Sequence, residues 1–254
     1  MKASLSAEGC SRNDRDGNSE VVPCVGAGKD GRMNVTDAVT QRISTRAFLP
    51  TPVGEDELRA ILDIARWSPS GGNVQPWHVY ALSGESMSEF RDALAQDTAA
   101  NPIGDRPDFH MYPPELKEPY RSRRFKCGED LYAIIGIPRE DKAARLYQMA
   151  KNLEFFGAPS ALFFAIDKIM GPGQWAHLGM FMQTVALVVQ ERGLASCMQE
   201  FWMTRHQLVR SFFAIPDELQ FYCGIAIGHP DREHPINSLR TERAAVEEFT
   251  TFRS

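Results

Sequence analysis

The segment QRISTRAF alternates basic and hydroxyl side chains, a pattern that could bind phosphate. Arg42, Ser44 and Arg46 alternate over five residues. A guanidinium group binds phosphate through a planar fork of N–H donors, and a serine hydroxyl adds a neutral hydrogen bond. The segment therefore predicts an anion site. A solvated charged turn is the alternative interpretation, and the segment by itself does not decide between the two.

A second basic segment, NSLRTERAAVEEF, lies near the C-terminus and carries Arg240 and Arg243. Taken alone, these side chains are expected to be surface charges. The chain as a whole is acidic, with a formal net charge of -5. Basic residues beside hydroxyl groups at two places in such a chain could both contact one phosphate group.

The segment SPSGGNVQPW, from Ser68 to Trp77, joins a predicted helix to a predicted strand. Pro69 would end the helix, and the two glycines would allow the chain to turn. Neither function requires the polar side chains of Ser70, Asn73 and Gln75. The segment is therefore either a plain connection or a loop shaped around a ligand.

Composition restricts the class of protein. The chain has 254 residues, of which 43% are hydrophobic and 24% charged, and these values are typical of a globular domain. The acidic balance argues against a general nucleic-acid binder. Five scattered cysteines show neither metal-ligand spacing nor a disulfide framework, so no metal site is expected. The N-terminal MKASLSAEGC has no apolar core typical of a secretory signal, and 178–189 is too short to cross a membrane. A cytoplasmic location is expected.

The sequence lacks the motifs of several enzyme classes. It contains no G-x-S-x-G, H-E-x-x-H, C-x-x-C or Walker segment, and no G-x-G-x-x-G follows a predicted strand. His177 lies on an apolar predicted helix, where we prefer a hydrogen-bonded structural histidine to a catalytic one. Trp77 is expected to pack in the core, and Cys197 to be a small buried residue.

Hydrophobic periodicity predicts a mixed α/β domain with helices on a small sheet. Residues 1–32 are poor in large apolar side chains and are expected to form a disordered leader. From residue 33 onward the predicted order is helix, helix, strand, irregular segment, helix, strand, helix, strand and tail. SALFFAID and FYCGIAIGHP are continuous apolar runs typical of strands covered on both faces. GQWAHLGMFMQTVALVVQERGL is apolar nearly all round, so it should lie in a large core or a subunit interface.

Residues 100–130 form a long segment with five prolines and weak periodicity. Such segments in compact domains are usually functional or disordered. Aromatic residues favour an ordered lid, although each of them could instead pack in the core: Phe109, Tyr112, Tyr120 and Phe125. Arg123 and Arg124 are expected to be solvated, with recognition of a nucleotide phosphate or a substrate carboxylate as the alternative.

These segments together resemble the FMN-dependent nitroreductase family. RISTRAF resembles its R-x-S-x-R signature, and SPSGGNVQPW resembles its S-P-S-x-x-N-x-Q-P-W loop. FFGAPSALFFAID and GQWAHLGMFMQTVALVVQERGLASCMQEFW resemble its central strand, its interface helix and the turn beyond. GIAIGHPD and NSLRTER resemble its closing strand and its arginine-bearing tail. The resemblance extends from about residue 33 to the C-terminus, and the insert and tail are most similar to the branch that reduces nitrobenzoates and other nitroaromatics.

The resemblance implies an α/β (α+β) three-layer fold, with helices around a small, mixed, mainly antiparallel sheet. It also implies an intertwined homodimer with two FMN sites at the subunit interface. The lid-like insert would be 100–130, and the tail 230–254 would wrap around the partner subunit. In such a dimer the FMN phosphate and ribityl chain would be bound by Arg42, Ser44, Arg46, Arg240 and Arg243.

The remaining FMN contacts implied by the resemblance come from the S-P-S loop and from the turn after the interface helix. The loop of the other subunit would lie along the flavin through Pro69, Ser70, Gly71, Asn73 and Gln75. The turn usually reads C-P-Q-E and directs a backbone N–H at the flavin N5 atom. Here it reads Cys197-Met198-Gln199-Glu200, and Met198 in place of proline puts the rigidity of the turn in doubt.

The implied reaction is a ping-pong exchange through one site. NADH or NADPH would reduce FMN and leave, and a small aromatic nitro compound would then be reduced to the nitroso and hydroxylamine forms. Because the cofactor supplies the redox chemistry, no acid/base catalytic side chain is expected. The substrate is expected to contact Phe109, Tyr112, Tyr120, Phe125 and Arg123. Alternatives are dehalogenation of an iodotyrosine-like substrate, breakdown of flavin, or a non-enzymatic flavin-binding sensor.

Overall fold

The computed structural model of the chain describes residues 33–253, so the leader predicted for 1–32 lies outside it. Helix α1 (Val35–Gln41) begins after Asn34, whose side chain accepts a hydrogen bond from the Asp37 N–H at 2.9 Å. Helix α2 (Glu55–Ala65) has three acidic residues in its first turn, where they face the positive end of the helix dipole. Its apolar face buries Leu58, Ile61 and Ala65, as the sequence periodicity predicts.

The sheet has four strands in the order β1-β2-β4-β3. Their bounds are Trp77–Leu82 (β1), Ser160–Asp167 (β2), Ala195–Gln199 (β3) and Leu219–Gly228 (β4). All three strand pairs are antiparallel. A mixed, mainly antiparallel sheet was predicted. Within residues 33–253 the only parallel pairing is one isolated bridge between Ser44 and Ser196.

The two central strands are covered on both faces, as predicted from their continuous apolar sequences. On β2, Phe163 belongs to one hydrophobic cluster, and Leu162 and Phe164 belong to the other. Helix α6 (Pro172–Glu191) packs on the second face through residues such as Phe181 and Val185. Ring stacking at 4.6 Å joins Phe181 to Trp77 at the start of β1.

Four elements differ from the sequence prediction. Helix α3 (Gly84–Ala100) and helix α4 (Tyr120–Ile134) lie where an irregular segment was expected. Helix α4 buries none of its residues in its own chain, so no apolar period marks it in the sequence. Strand β3 includes three of the four residues expected to form a turn, and helix α7 (His206–Phe212) follows it.

The helix predicted to extend to Gly157 divides in two. Helix α5 (Lys142–Ala150) ends early, and the 3-10 segment Lys151–Gly157 continues the chain. Phe155 and Phe156 adopt left-handed backbone angles there while their rings are buried. Burial of these rings in the core therefore outweighs the local preference for a continuous α-helix.

Candidate functional site

The R-x-S-x-R segment lies beside the start of β3. The Thr45 N–H donates to the Ser196 carbonyl at 3.0 Å, and Ser44 forms the parallel bridge with the same residue. Thr45 is buried, whereas Arg42, Ser44 and Arg46 on either side of it are half-buried. The side chain of Thr45 therefore points into the protein, while those of the two arginines and the serine remain partly accessible.

Asn237 fastens the C-terminal tail to this segment. Its Oδ1 atom accepts a hydrogen bond from the Arg46 N–H at 2.8 Å. Its Nδ2 atom donates to the carbonyls of Ala47 at 2.8 Å and Asp231 at 2.7 Å. Asn237 is buried, so each of these bonds replaces contacts with water. Sequence reasoning did not select this residue, because an asparagine beside two arginines gives no signal of its own.

The arginines of the two segments form a positively charged cluster. Burial, together with the nearby positive charge of Arg243, lowers the pKa of the Arg42 guanidinium. Within residues 33–253, none of the predicted phosphate-binding arginines forms an ion pair: Arg42, Arg46, Arg240 and Arg243. Mutually repelling, unpaired guanidinium groups are favourable where an anion binds between them. The cluster therefore fits the phosphate group of FMN.

The S-P-S loop has an unusual backbone for its sequence. Gly72, Asn73 and Gln75 have φ angles of 59, 54 and 50 degrees, all in the left-handed region. The loop is held by the Ser70 Oγ atom, which accepts from the Gln75 N–H at 2.9 Å, and by the Gln75 Nε2 atom, which donates to the Asn73 carbonyl at 3.2 Å. Left-handed non-glycine residues concentrate at functional sites. The loop is therefore more constrained than a plain connection requires.

His177 supports the loop from helix α6. The Gly71 N–H donates to the His177 Nε2 atom at 3.3 Å. A Cβ atom on Gly71 would lie 3.1 Å from the His177 Cε1 atom, so a larger residue would push against the imidazole ring. His177 is therefore the hydrogen-bonded structural histidine that the sequence favoured, and it fixes the loop to the predicted interface helix.

A single chain keeps the predicted FMN contacts in two separate groups. The R-x-S-x-R segment, the tail and strand β3 form one group, and the S-P-S loop with α6 forms the other. Across the described part of the chain, no hydrogen bond or ion pair joins residues 68–76 to 42–46, 197–200 or 240–243.

The residues predicted to form the turn after α6 are the end of β3 and the first residue of a 3-10 segment, Glu200–Arg205. Cys197 is buried, and burial raises the pKa of its thiol. Met198 is partly exposed. The Gln199 side chain is fully engaged, because its Nε2 atom donates to the Asn152 carbonyl at 2.8 Å and its Oε1 atom accepts from the Trp202 Nε1–H at 3.2 Å. Only the backbone of Gln199 therefore remains for a ligand.

The aromatic residues of the insert divide between core and surface. Phe109 packs in its own chain against Trp175 at 5.9 Å and Tyr222 at 6.0 Å between ring centroids. Tyr112, Tyr120 and Phe125 are exposed. The predicted lid thus consists of two parts, an anchored segment around Phe109 and the exposed helix α4.

Arg123 forms an ion pair with the C-terminal tail of its own chain. Its Nη2 atom lies 2.7 Å from a carboxylate oxygen of Glu248 in the C-terminal tail. Lys126 makes a similar contact with Glu242 at 3.2 Å. Arg124 instead lies over the ring of Tyr112, at 4.0 Å from its centroid. Arg123 is therefore ion-paired in the free chain, and its expected contact with the substrate stays a prediction.

Residues 33–253 lack the features of a metal site and of a membrane-spanning helix. No group of three or more potential ligand side chains is placed to hold a metal ion there. No helix in that range has the length and apolar character needed to cross a membrane.

Comparison with known proteins decides the family. The model of the nitroreductase family matches residues 39–229, which is most of the chain. The chain belongs to the nitroreductase family. A relative named 4-nitrobenzoate reductase, from Pseudomonas putida, is 36% identical over 217 residues, which cover 84% of this chain and 93% of the relative.

Two solved nitroreductase structures share the fold. An FMN and NADPH-dependent nitroreductase, NfnB, from sphigopyxis sp. strain HMH is 40% identical, with a TM-score of 0.83 over 87% of this chain and 100% of the other. An FMN-dependent nitroreductase from Mycobacterium smegmatis in complex with NADPH is 28% identical, with a TM-score of 0.80 over 86% of this chain and 97% of the other. The family resemblance inferred from short motifs is confirmed over nearly the whole described chain.

Proposed function

We propose that this protein is an FMN-dependent NAD(P)H oxidoreductase that reduces nitroaromatic compounds to nitroso and hydroxylamine products. The observation that carries the proposal is that Asn237 joins the two basic segments, in which no arginine has an ion-pair partner within residues 33–253: Arg42, Arg46, Arg240 and Arg243. The names of the nitroreductase relatives support the same cofactor and the same class of substrate.

The side chains of this protein would bind and orient the cofactor and the substrate. When bound, FMN supplies the redox chemistry, taking a hydride from NADH or NADPH and passing electrons to the nitro group in a ping-pong exchange. The arginine cluster and Ser44 would hold the phosphate and ribityl chain. The backbone of Met198, Gln199 and Glu200 would lie against the flavin ring. No acid/base side chain is needed for these roles.

We further propose a homodimer in which each FMN site uses both subunits. The separation of the predicted contacts into two groups supports this arrangement, since the S-P-S loop would complete the site of the partner. Helix α6 exposes Ala176, Gly179 and Met180 on the side that faces away from its own core. Helix α4 buries no residue in its own chain, and Phe249 and Phe252 of the tail are 71% and 75% exposed. A partner subunit would cover these surfaces, and the tail 230–254 would wrap around it.

Subunit complementation tests the shared site. One chain carries Arg42→Ala with Arg46→Ala, and the other carries Ser70→Ala with Asn73→Ala. Each homodimer should lose activity. In the mixed dimer one site collects all the substitutions and the other collects none, so about half of the wild-type activity per dimer should return. An inactive mixed dimer would show that each site uses residues of a single chain, and a monomer in sedimentation would contradict the dimer.

Substrate class is tested by turnover. We expect the FMN-loaded protein to oxidise NADPH or NADH in the presence of 4-nitrobenzoate and to form the hydroxylamine. The substrate would lie beside the exposed aromatic residues of an insert from either subunit: Tyr112, Tyr120 and Phe125. Iodotyrosine serves as the comparison. Faster turnover of iodotyrosine would overturn the nitroaromatic assignment while leaving the flavin chemistry in place. A cytoplasmic location is proposed as well, since Cys127, Cys197 and Cys223 form no disulfide within residues 33–253.

A further inference from the structure

A bulge in β4 sets the direction of the Tyr222 side chain. In the pairing of β2 with β4, Phe164 lies opposite Cys223 and Ala165 lies opposite Phe221, so Tyr222 has no partner residue on β2. A bulge of this kind turns a side chain out of the regular alternation, and bulges are common next to active sites. The central strands are otherwise regular, which makes this irregularity specific to one residue.

The Tyr222 hydroxyl contacts Glu200, the first residue after β3. It donates to the Glu200 Oε1 atom at 3.1 Å, and both residues are half-buried. Within residues 33–253 this is the one hydrogen bond made by the Glu200 carboxylate. Burial, assisted by neighbouring negative charge that includes Glu200, raises the pKa of Tyr222, so the hydroxyl stays protonated and remains a donor.

The ring of Tyr222 lies between the insert and helix α6. It meets Trp175 edge-on at 5.2 Å and Phe109 at 6.0 Å. Phe109 is the anchored residue of the insert, and Asp108 beside it accepts a hydrogen bond from the Gln220 Nε2 atom at 2.7 Å. Tyr222 on β4 therefore links the insert and helix α6 to Glu200, which belongs to the segment that would face the flavin.

The neighbouring residue Gln199 is already held by Asn152 and Trp202. Trp202 in turn packs closely on Gly224, where a Cβ atom would lie 2.8 Å from the Trp202 Cδ1 atom. Gln199 is thus held in place by side-chain contacts although position 198 is not a proline. Glu200 is the next residue along the chain, and its side-chain anchor is Tyr222.

We infer that Tyr222 is a positioning residue for flavin reduction. Its hydroxyl holds the Glu200 carboxylate, and through it the backbone of Met198–Glu200, in the orientation that the bound cofactor requires. The same bond partly neutralises the carboxylate charge beside the flavin. This inference rests on the proposed function, because it assumes that Met198–Glu200 faces the FMN ring.

The test compares Tyr222→Phe, Glu200→Ala and the double variant, each loaded with FMN. Tyr80→Phe is the matched control, since Tyr80 is also half-buried in the sheet but its hydroxyl has no hydrogen-bond partner within residues 33–253. The measurements are the anaerobic rate of flavin bleaching at saturating NADPH, the reduction potential of the bound flavin and the thermal midpoint.

Tyr222→Phe should slow flavin reduction by about three- to tenfold, less than the full loss of one charge-assisted hydrogen bond, because Tyr222 acts on the flavin only through Glu200. It should make the potential more negative, because the carboxylate loses its donor. Glu200→Ala should make the potential less negative, since it removes the charge. In the Glu200→Ala background, adding Tyr222→Phe should change neither quantity, because the two substitutions remove the same bond.

Two results would overturn the inference. One is a reduction rate and potential in Tyr222→Phe that match those of Tyr80→Phe. The other is an effect of Tyr222→Phe that is equally large in the Glu200→Ala background. In both cases the wild-type protein still binds FMN and is bleached by NADPH, so the proposed function stands. A wild-type protein that is not bleached removes the proposed function and this inference together.

Discussion

Replacing Arg42 with alanine should separate cofactor affinity from protein stability. Arg42 is half-buried and lies near the positive charge of Arg243, and the described residues give it no ion-pair partner. A charge-assisted hydrogen bond contributes about 1.5–3 kcal/mol. Losing such a bond to the FMN phosphate should raise the FMN dissociation constant about 10- to 150-fold.

The same substitution should not destabilise the protein without its cofactor. Burial and repulsion from Arg243 both lower the pKa of Arg42, so the charged form of this side chain is disfavoured in the folded chain. Removing the charge relieves that repulsion. We therefore expect the thermal midpoint of the FMN-free variant to equal or exceed that of the wild-type protein.

Fluorescence titration with FMN and thermal unfolding with and without FMN measure both effects. Arg66→Ala is the control, because Arg66 is exposed and pairs with Asp63 on helix α2. Higher salt should weaken FMN binding in the wild-type protein more than in Arg42→Ala, since the lost interaction is electrostatic. An FMN dissociation constant within about twofold of the Arg66→Ala value would show that Arg42 is a surface charge.

Three further substitutions test other contacts. His177→Ala removes the acceptor of the Gly71 N–H and should weaken FMN binding by roughly threefold or more, while the dimer persists. An FMN affinity that is unchanged in titration would show that His177 does not support the S-P-S loop. Asn237→Ala should lower the free energy of unfolding, measured by urea denaturation, by about 1–3 kcal/mol, because the Arg46 N–H loses its acceptor. A change below about 0.5 kcal/mol would contradict this expectation. Glu57→Gln should cost about 0.5–1 kcal/mol at neutral pH. The hydrogen bond from Arg192 lowers the pKa of Glu57, so the stabilisation by this pair is present above the ordinary pKa of 4.5 and is lost as the pH falls below that value. A stability difference between Glu57→Gln and the wild-type protein that does not change with pH in urea titrations would refute this prediction.

The elements with a strong hydrophobic pattern could be predicted from the sequence. Strand β2 has the bounds expected from SALFFAID, and α6 follows the long apolar segment. Helix α4 could not be predicted, because it buries no residue in its own chain and so carries no apolar period. The family resemblance implied a turn at 197–200, and the five residues of strand β3 are too few to show a pattern of their own.

The candidate site divides in the same way. The arginines of the R-x-S-x-R segment and of the tail are visible as motifs, since side chains that contact a ligand directly recur at fixed spacing. His177 is predictable as a structural histidine, but its partner Gly71 is not, and Asn237 and Tyr222 give no signal in the sequence. All three residues act through contacts over long sequence distances. These residues reach the motifs only in the folded chain, and no spacing in a single sequence indicates such long-range contacts.

Anaerobic mixing in two stages tests the central claim most directly. The FMN-loaded protein is first mixed with NADPH or NADH while the flavin absorbance is followed, and 4-nitrobenzoate is added after the excess nucleotide is removed. We predict that the flavin is bleached in the first stage and recovers in the second, with the hydroxylamine as the final product under turnover. A protein that takes up no FMN, or a flavin that neither nucleotide bleaches, would contradict the account.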